Sequence, residues 1–119
     1  MDSYLLLFFK PGPAMKLSIA ELARELLWGE EVDGLIDIPV REILDRLKHE
    51  FRRHEENSGL LLGHGATGSF EATWTWQFVK IECHDLALSE REKLSDAIES
   101  FGCLMFDPQS DHEAGASAL

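Results

Sequence analysis

Cysteine is scarce in this chain of 119 residues: only Cys83 and Cys103 occur, each in an apolar, strand-like setting. Two such residues are expected as buried thiols rather than a structural disulfide, which is the usage of a reducing compartment. Bases are in deficit. Eleven Lys and Arg against 22 Asp and Glu leave a net charge of −11, which argues against direct binding of nucleic acid or an anionic membrane and suits a basic partner. Long apolar runs are missing as well, since Tyr4–Phe9 is far shorter than the roughly 20 residues a transmembrane helix needs. The opening Met1-Asp2-Ser3 lacks a basic n-region, and Lys10-Pro11-Gly12-Pro13 ends the apolar run without a small-residue cleavage site. The expectation is therefore no signal peptide and a cytoplasmic location.

What is present begins with that short run. Tyr4, Leu6 and Phe8 alternate with Leu5, Leu7 and Phe9, so a strand here is apolar on both faces and belongs inside a sheet. Pro11-Gly12-Pro13 breaks it. Ser18-Ile19-Ala20-Glu21 is a capping box for a helix burying Ile19, Leu22, Ala23, Leu26 and Leu27 and stopping at Trp28-Gly29. A second helix is expected from about Asp37, the candidate cap, with the apolar stripe Val40, Ile43, Leu44, Leu47 and Phe51. The pairs Arg46–Glu50 and Arg52–Glu56 would lie on its outer face, and it would fray near residues 55–59. Leu60-Leu61-Leu62 is a short strand. Phe70, Ala72, Trp74, Trp76 and Phe78 then alternate with polar residues, with the aromatics facing the core. After Phe78 the phase slips by one, which means a bulge or a second strand after a turn. Ser89-Glu90-Arg91-Glu92 repeats the capping box before Leu94, Ala97, Ile98 and Phe101, and Gly102 ends the helix. Cys103–Phe106 is a last strand, apolar on both faces.

The expected order is β-α-α-β-β-α-β over one domain, residues 1–108, with a disordered tail from 109 to 119. It is the split βαβ order of a ferredoxin-like α+β sandwich with a mixed or antiparallel sheet and the first strand central. Apolar residues on both faces of the first and last strands demand cover on the second face. The extra helix, a second copy of the chain in a homodimer, or a partner could supply it.

Motifs of catalysis and metal binding do not stand out. Gly63-His64-Gly65-Ala66-Thr67-Gly68 lacks the Lys-Ser/Thr ending of a P-loop and precedes a strand, so a hairpin connection is expected. His49 and His54 are five apart and diverge on a helix, while His84 and Asp85 point oppositely on a strand. No cation lies near Cys83 in sequence to activate it. The Trp74–Trp76 row has no basic surface around it for stacking nucleobases. Arg46, Lys48, Arg52 and Arg53 are interleaved with glutamates, as on a solvated helix face. No catalytic residue, metal ligand or cofactor is therefore assigned.

The acids are unevenly spread: eight face two arginines between Glu21 and Asp45, and nine face two bases between Glu82 and Glu113. The block Glu21, Glu25, Glu30, Glu31, Asp33 and Asp37 is the candidate partner-binding surface, where crowded carboxylates gain when a cationic surface docks. An acidity that serves solubility alone is the competing explanation. Two end motifs, Ser3-Tyr4-Leu5-Leu6-Leu7-Phe8 and Gly102-Cys103-Leu104-Met105-Phe106-Asp107-Pro108-Gln109-Ser110, resemble those of a group of small bacterial proteins. Size, acidity and α/β pattern are similar to the immunity proteins of contact-dependent growth inhibition and related toxin systems. That resemblance implies a non-enzymatic cytoplasmic inhibitor that covers the basic active site of a cognate toxin domain, usually a nuclease. The alternatives are a homodimeric ligand-binding or small enzymatic domain, and an accessory subunit of a bacterial complex.

Overall fold

The computed structural model describes residues 3–109. Nine elements follow in order: β1 (Ser3–Phe9), α1 (Ile19–Leu27), α2 (Val40–Glu50), β2 (His54–Asn57), β3 (Leu60–His64), β4 (Ser69–Trp74), β5 (Phe78–His84), α3 (Leu88–Glu99) and β6 (Leu104–Phe106). The six strands form one sheet in the order β2-β3-β4-β5-β1-β6, and every neighbouring pair is antiparallel. β1 is interior, as its two-sided apolar pattern requires, with Leu6, Leu7, Phe8 and Phe9 all buried.

Helices cover both sheet faces. On one, Leu6, Phe8, Val79, Ile81, Phe70 and Leu61 pack against Ile43, Leu44 and Leu47 of α2 and Leu94 and Ile98 of α3. On the other, Leu7, Phe9 and Phe106 meet Leu22, Ala23 and Leu26 of α1. The extra helix thus shelters the second face, but only at the β1–β6 end and beside Phe78. Farther along, this face carries Glu71, Thr73, Lys80, Glu82 and His84, none of them fully buried. The residue against the crowded Phe70 ring is Gly63, where a Cβ would lie 2.3 Å from ring carbons.

The strand count differs from the expected four. The phase slip after Phe78 is a hairpin: residues 75–77 turn the chain, and Trp74 pairs with Val79. Consequently Trp76 is exposed and Gln77 is the buried residue of the turn, so Trp76 does not join the core. The second helix ends at Glu50, and residues 54–57 form β2, paired with β3 around Gly59 (φ 78°). Ser58-Gly59 is a hairpin turn rather than a helix end, and once it is made Glu56, opposite Leu61 of β3, lies on the face that α2 covers. There it pairs with Arg41 and Lys48 of α2, not with Arg52. These lysine and arginine contacts hold the Glu56 carboxyl below its usual pKa, with the Lys48 hydrogen bond the leading cause. The Arg46–Glu50 pair forms as expected, at 3.1 Å.

Helix α1 keeps its capping box: Glu21 N–H donates to Ser18 Oγ and Ser18 N–H donates to Glu21 Oε1, both at 3.2 Å. Ile19 and Leu27, expected in the core, are exposed because α1 buries only a narrow stripe against the sheet. The second expected capping box does not form. α3 starts two residues earlier, with Ala87 as its N-cap and no side-chain cap. α2 likewise starts after Pro39, without a cap from Asp37. β6 is an edge strand, so Leu104 and Met105 are partly exposed and only Phe106 is buried. The tail expected to be disordered lies, from residue 110 on, outside the described residues.

Candidate functional site

The acidic block does not stay together as a single patch. Glu21 is occupied at the first turn of α1 by its hydrogen bonds with Ser18, which hold its carboxyl below the usual carboxylate range. Asp37 lies exposed at the far end of the following loop. The other four gather around the C-terminus of α1. Glu25, Glu31 and Asp33 line a cleft of about 430 Å³, together with Val32 and Gly34 on its floor and Lys16 and Leu17 on its rim. Glu25 and Glu30, with Arg24, also line an adjoining hollow around Trp28, which is 79% exposed. A tryptophan of that exposure sits outside any core, and sequence reasoning assigned Trp28 only as a helix stop.

The loop that carries these acids is pinned from below. Gln77, 4% exposed, reaches from the β4–β5 turn to hold Val32 at both backbone groups. The Val32 N–H donates to Gln77 Oε1 at 3.1 Å, and Gln77 Nε2 donates to the Val32 carbonyl at 2.7 Å. The segment after β1 continues the pinning: Gly12 N–H donates to the Gly34 carbonyl and Ile36 N–H to the Lys10 carbonyl, each at 2.8 Å. The close approach needs glycine at position 12, where a Cβ would fall 2.8 Å from the Gly34 oxygen. Ile38 N–H donates to the Trp76 carbonyl at 3.1 Å. An acidic loop held this way presents its carboxylates with little conformational freedom left to lose on binding.

The glycine-rich loop after β3 also has an anion, supplied by the chain itself. Ala66 N–H donates to both carboxylate oxygens of Glu90 at 3.0 Å, and a Cβ on Gly65 would lie 2.5 Å from that carboxylate. Glu90 therefore fills the place a phosphate would take, which removes the phosphate-loop alternative and explains why Glu90 does not cap α3.

The two end motifs meet. Gln109 forms a two-way pair with Leu5, its Oε1 accepting from Leu5 N–H and its Nε2 donating to the Leu5 carbonyl, both at 2.8 Å. Tyr4 Oη donates to Asp107, while Arg91 lies over the Tyr4 ring at 3.9 Å. A side-chain amide thereby extends β-pairing beyond the end of β6. The motifs are one structural clasp rather than a chemical site.

Cys83 and Cys103 are free and buried. Burial pushes the Cys83 thiol up to about 11 against the opposing charge of Arg91, and raises that of Cys103 against Lys10. Neither is a poised nucleophile. Among the described residues no helix is long and apolar enough to cross a membrane. No family model, curated protein or solved structure matches the chain.

Proposed function

We propose that the chain is a non-enzymatic inhibitor of the immunity type, cytoplasmic, that covers a basic toxin domain with the acidic rim at the end of α1. The observation that carries this reading is the exposed Trp28 set between Glu25 and Glu30 beside the cleft of Glu25, Glu31 and Asp33. Exposed tryptophans anchor protein interfaces, and their ring faces accept Lys and Arg. Carboxylates around such an anchor favour a cationic partner and speed its approach. A protein partner suits this surface better than a small ligand, because the cleft is open and shares its edge with the Trp28 hollow. The similarity of size, acidity and α/β pattern to immunity proteins of toxin systems supports the same role. Of the six acids predicted for the surface, Glu25, Glu30, Glu31 and Asp33 are retained as contacts. Glu21 is already engaged in the helix cap, and Asp37 stands apart.

The test is calorimetric titration against the cognate basic toxin domain that this reading requires, at low and at high salt. Tight binding at low salt that weakens with added salt, and weakens further in Trp28→Ala and in the double variant Glu31→Lys, Asp33→Lys, is the expected result. Absence of heat at low salt overturns the proposal.

We further read β4-β5-β1-β6 as a ferredoxin-like split βαβ core to which the β2–β3 hairpin is appended at one edge. In its support, β4 and β5 form a hairpin, β1 lies between β5 and β6, and α3 connects β5 to β6 across one face.

A further inference from the structure

On the part of the second sheet face that α1 leaves uncovered, β4 and β5 place two glutamates directly opposite each other, Glu71 facing Glu82. Like charges at such a cross-strand position destabilise a sheet. His84 follows two residues after Glu82 on the same face of β5, and its Nε2 is 3.8 Å from Glu71 Oε2 and 3.8 Å from Glu82 Oε1. Those separations exceed hydrogen-bond length, so the imidazole is not simply bonded to either carboxylate. One donor atom from each of the three residues lies within 4.8 Å of the others. Among the described residues, no lysine or arginine forms an ion pair with Glu71 or Glu82.

We propose that Glu71, Glu82 and His84 bind a divalent first-row transition cation, as a site separate from the acidic rim at α1. With the His84 nitrogen 3.8 Å from each carboxylate oxygen and all three donors within 4.8 Å of one another, small side-chain rotations bring them to the roughly 2.0–2.2 Å bonds that zinc makes to imidazole and carboxylate. The imidazole selects zinc-like ions over magnesium and calcium, which prefer oxygen alone. Three protein ligands leave a coordination position toward solvent for water. The cation would also remove the repulsion of the opposed glutamates. All three side chains stand on paired strands, so the backbone sets their spacing before the ion arrives. The pattern escapes a sequence scan because Glu71 is brought to Glu82-x-His84 only by the turn at 75–77, which the phase slip marks without locating.

Calorimetric titration of the full chain with Zn²⁺ tests the site. One equivalent is expected to bind. Glu82→Gln and His84→Gln are expected to weaken binding at least tenfold, since even residues that only support a ligand cost about 10–100-fold when changed. His49→Gln and His64→Gln are expected to leave binding unchanged. Circular dichroism reports whether each variant folds, and Glu71→Gln stands in should either of the first two fail to fold. An independent readout is the visible spectrum of Co²⁺ added to the wild type, expected to change in the Glu71→Gln variant. No heat with Zn²⁺ in the wild type, or undiminished binding in the folded ligand variants, overturns the proposal.

Discussion

Gln77 shows how much one buried amide can organise. Its side chain satisfies both backbone groups of Val32, and no apolar replacement can do so. Gln77→Leu strands a buried donor and acceptor and is expected to cost about 2–6 kcal/mol, at 1–3 kcal/mol for each unsatisfied group. Urea unfolding would measure the loss, and faster amide exchange at Val32 would locate it. Cys83 makes a second residue-level prediction. Its thiol holds its proton up to about 11 in the folded chain, against the ordinary 9.0. The unfolded chain therefore releases that proton first, so the contribution of Cys83 is complete below pH 9 and is lost as pH rises toward 11. Thermal melts across that window are expected to show a steeper decline for the wild type than for Cys83→Ala. In the same measurement series a thiol reagent at neutral pH should label Cys83 only once the protein is unfolded.

Among the elements, the lesson of α1 and α3 is that one four-residue pattern has two outcomes. Ser18–Glu21 closes a capping box, whereas Ser89 lies two residues past the N-cap, already inside the helix, and Glu90 reaches away to Ala66. Glu90→Ala should leave α3 helical while loosening the loop 65–68, with a cost of about 1–2 kcal/mol from losing a charge-assisted hydrogen bond. Exchange of the Ala66 amide would rise, and Glu90→Gln would restore part of the protection. Local signals were legible where they depended on neighbours in the chain: β1 from its run of six apolar side chains, α1 from its cap and Gly29, α3 from Leu94, Ala97 and Ile98. They were not legible where pairing decided. Residues 54–57 are polar, and nothing in His-Glu-Glu-Asn marks a strand until β3 lies beside it. The turn at 75–77 hides because Trp76 continues the apolar alternation on the outside of the hairpin. The candidate surface was half legible: charge located Glu25, Glu30, Glu31 and Asp33, but the exposure of Trp28 is a tertiary fact.

For the whole molecule, charge is the governing quantity. A net −11 on a chain of this size repels itself and attracts cations at long range. Association with a basic domain is therefore expected to have an on-rate that falls about tenfold or more between low and high salt, with a smaller change in off-rate. Stopped-flow tryptophan fluorescence in a Trp74→Phe, Trp76→Phe background, which leaves Trp28 as the reporter, would follow it, and the Glu31→Lys, Asp33→Lys double variant should flatten the salt dependence.

The position of β1 has its own consequence for synthesis of the chain. Its partners are β5 and β6, separated from it in sequence by some 70 to 100 residues. A ribosome adding about 5–20 residues each second needs several seconds to deliver them. Through that interval Leu5–Phe9, the greasiest stretch of the described chain, is made before its partner strands and waits without them. A nascent chain of this order invites holding chaperones, and arrest of translation before residue 78 should leave the β1 segment accessible to crosslinking by them.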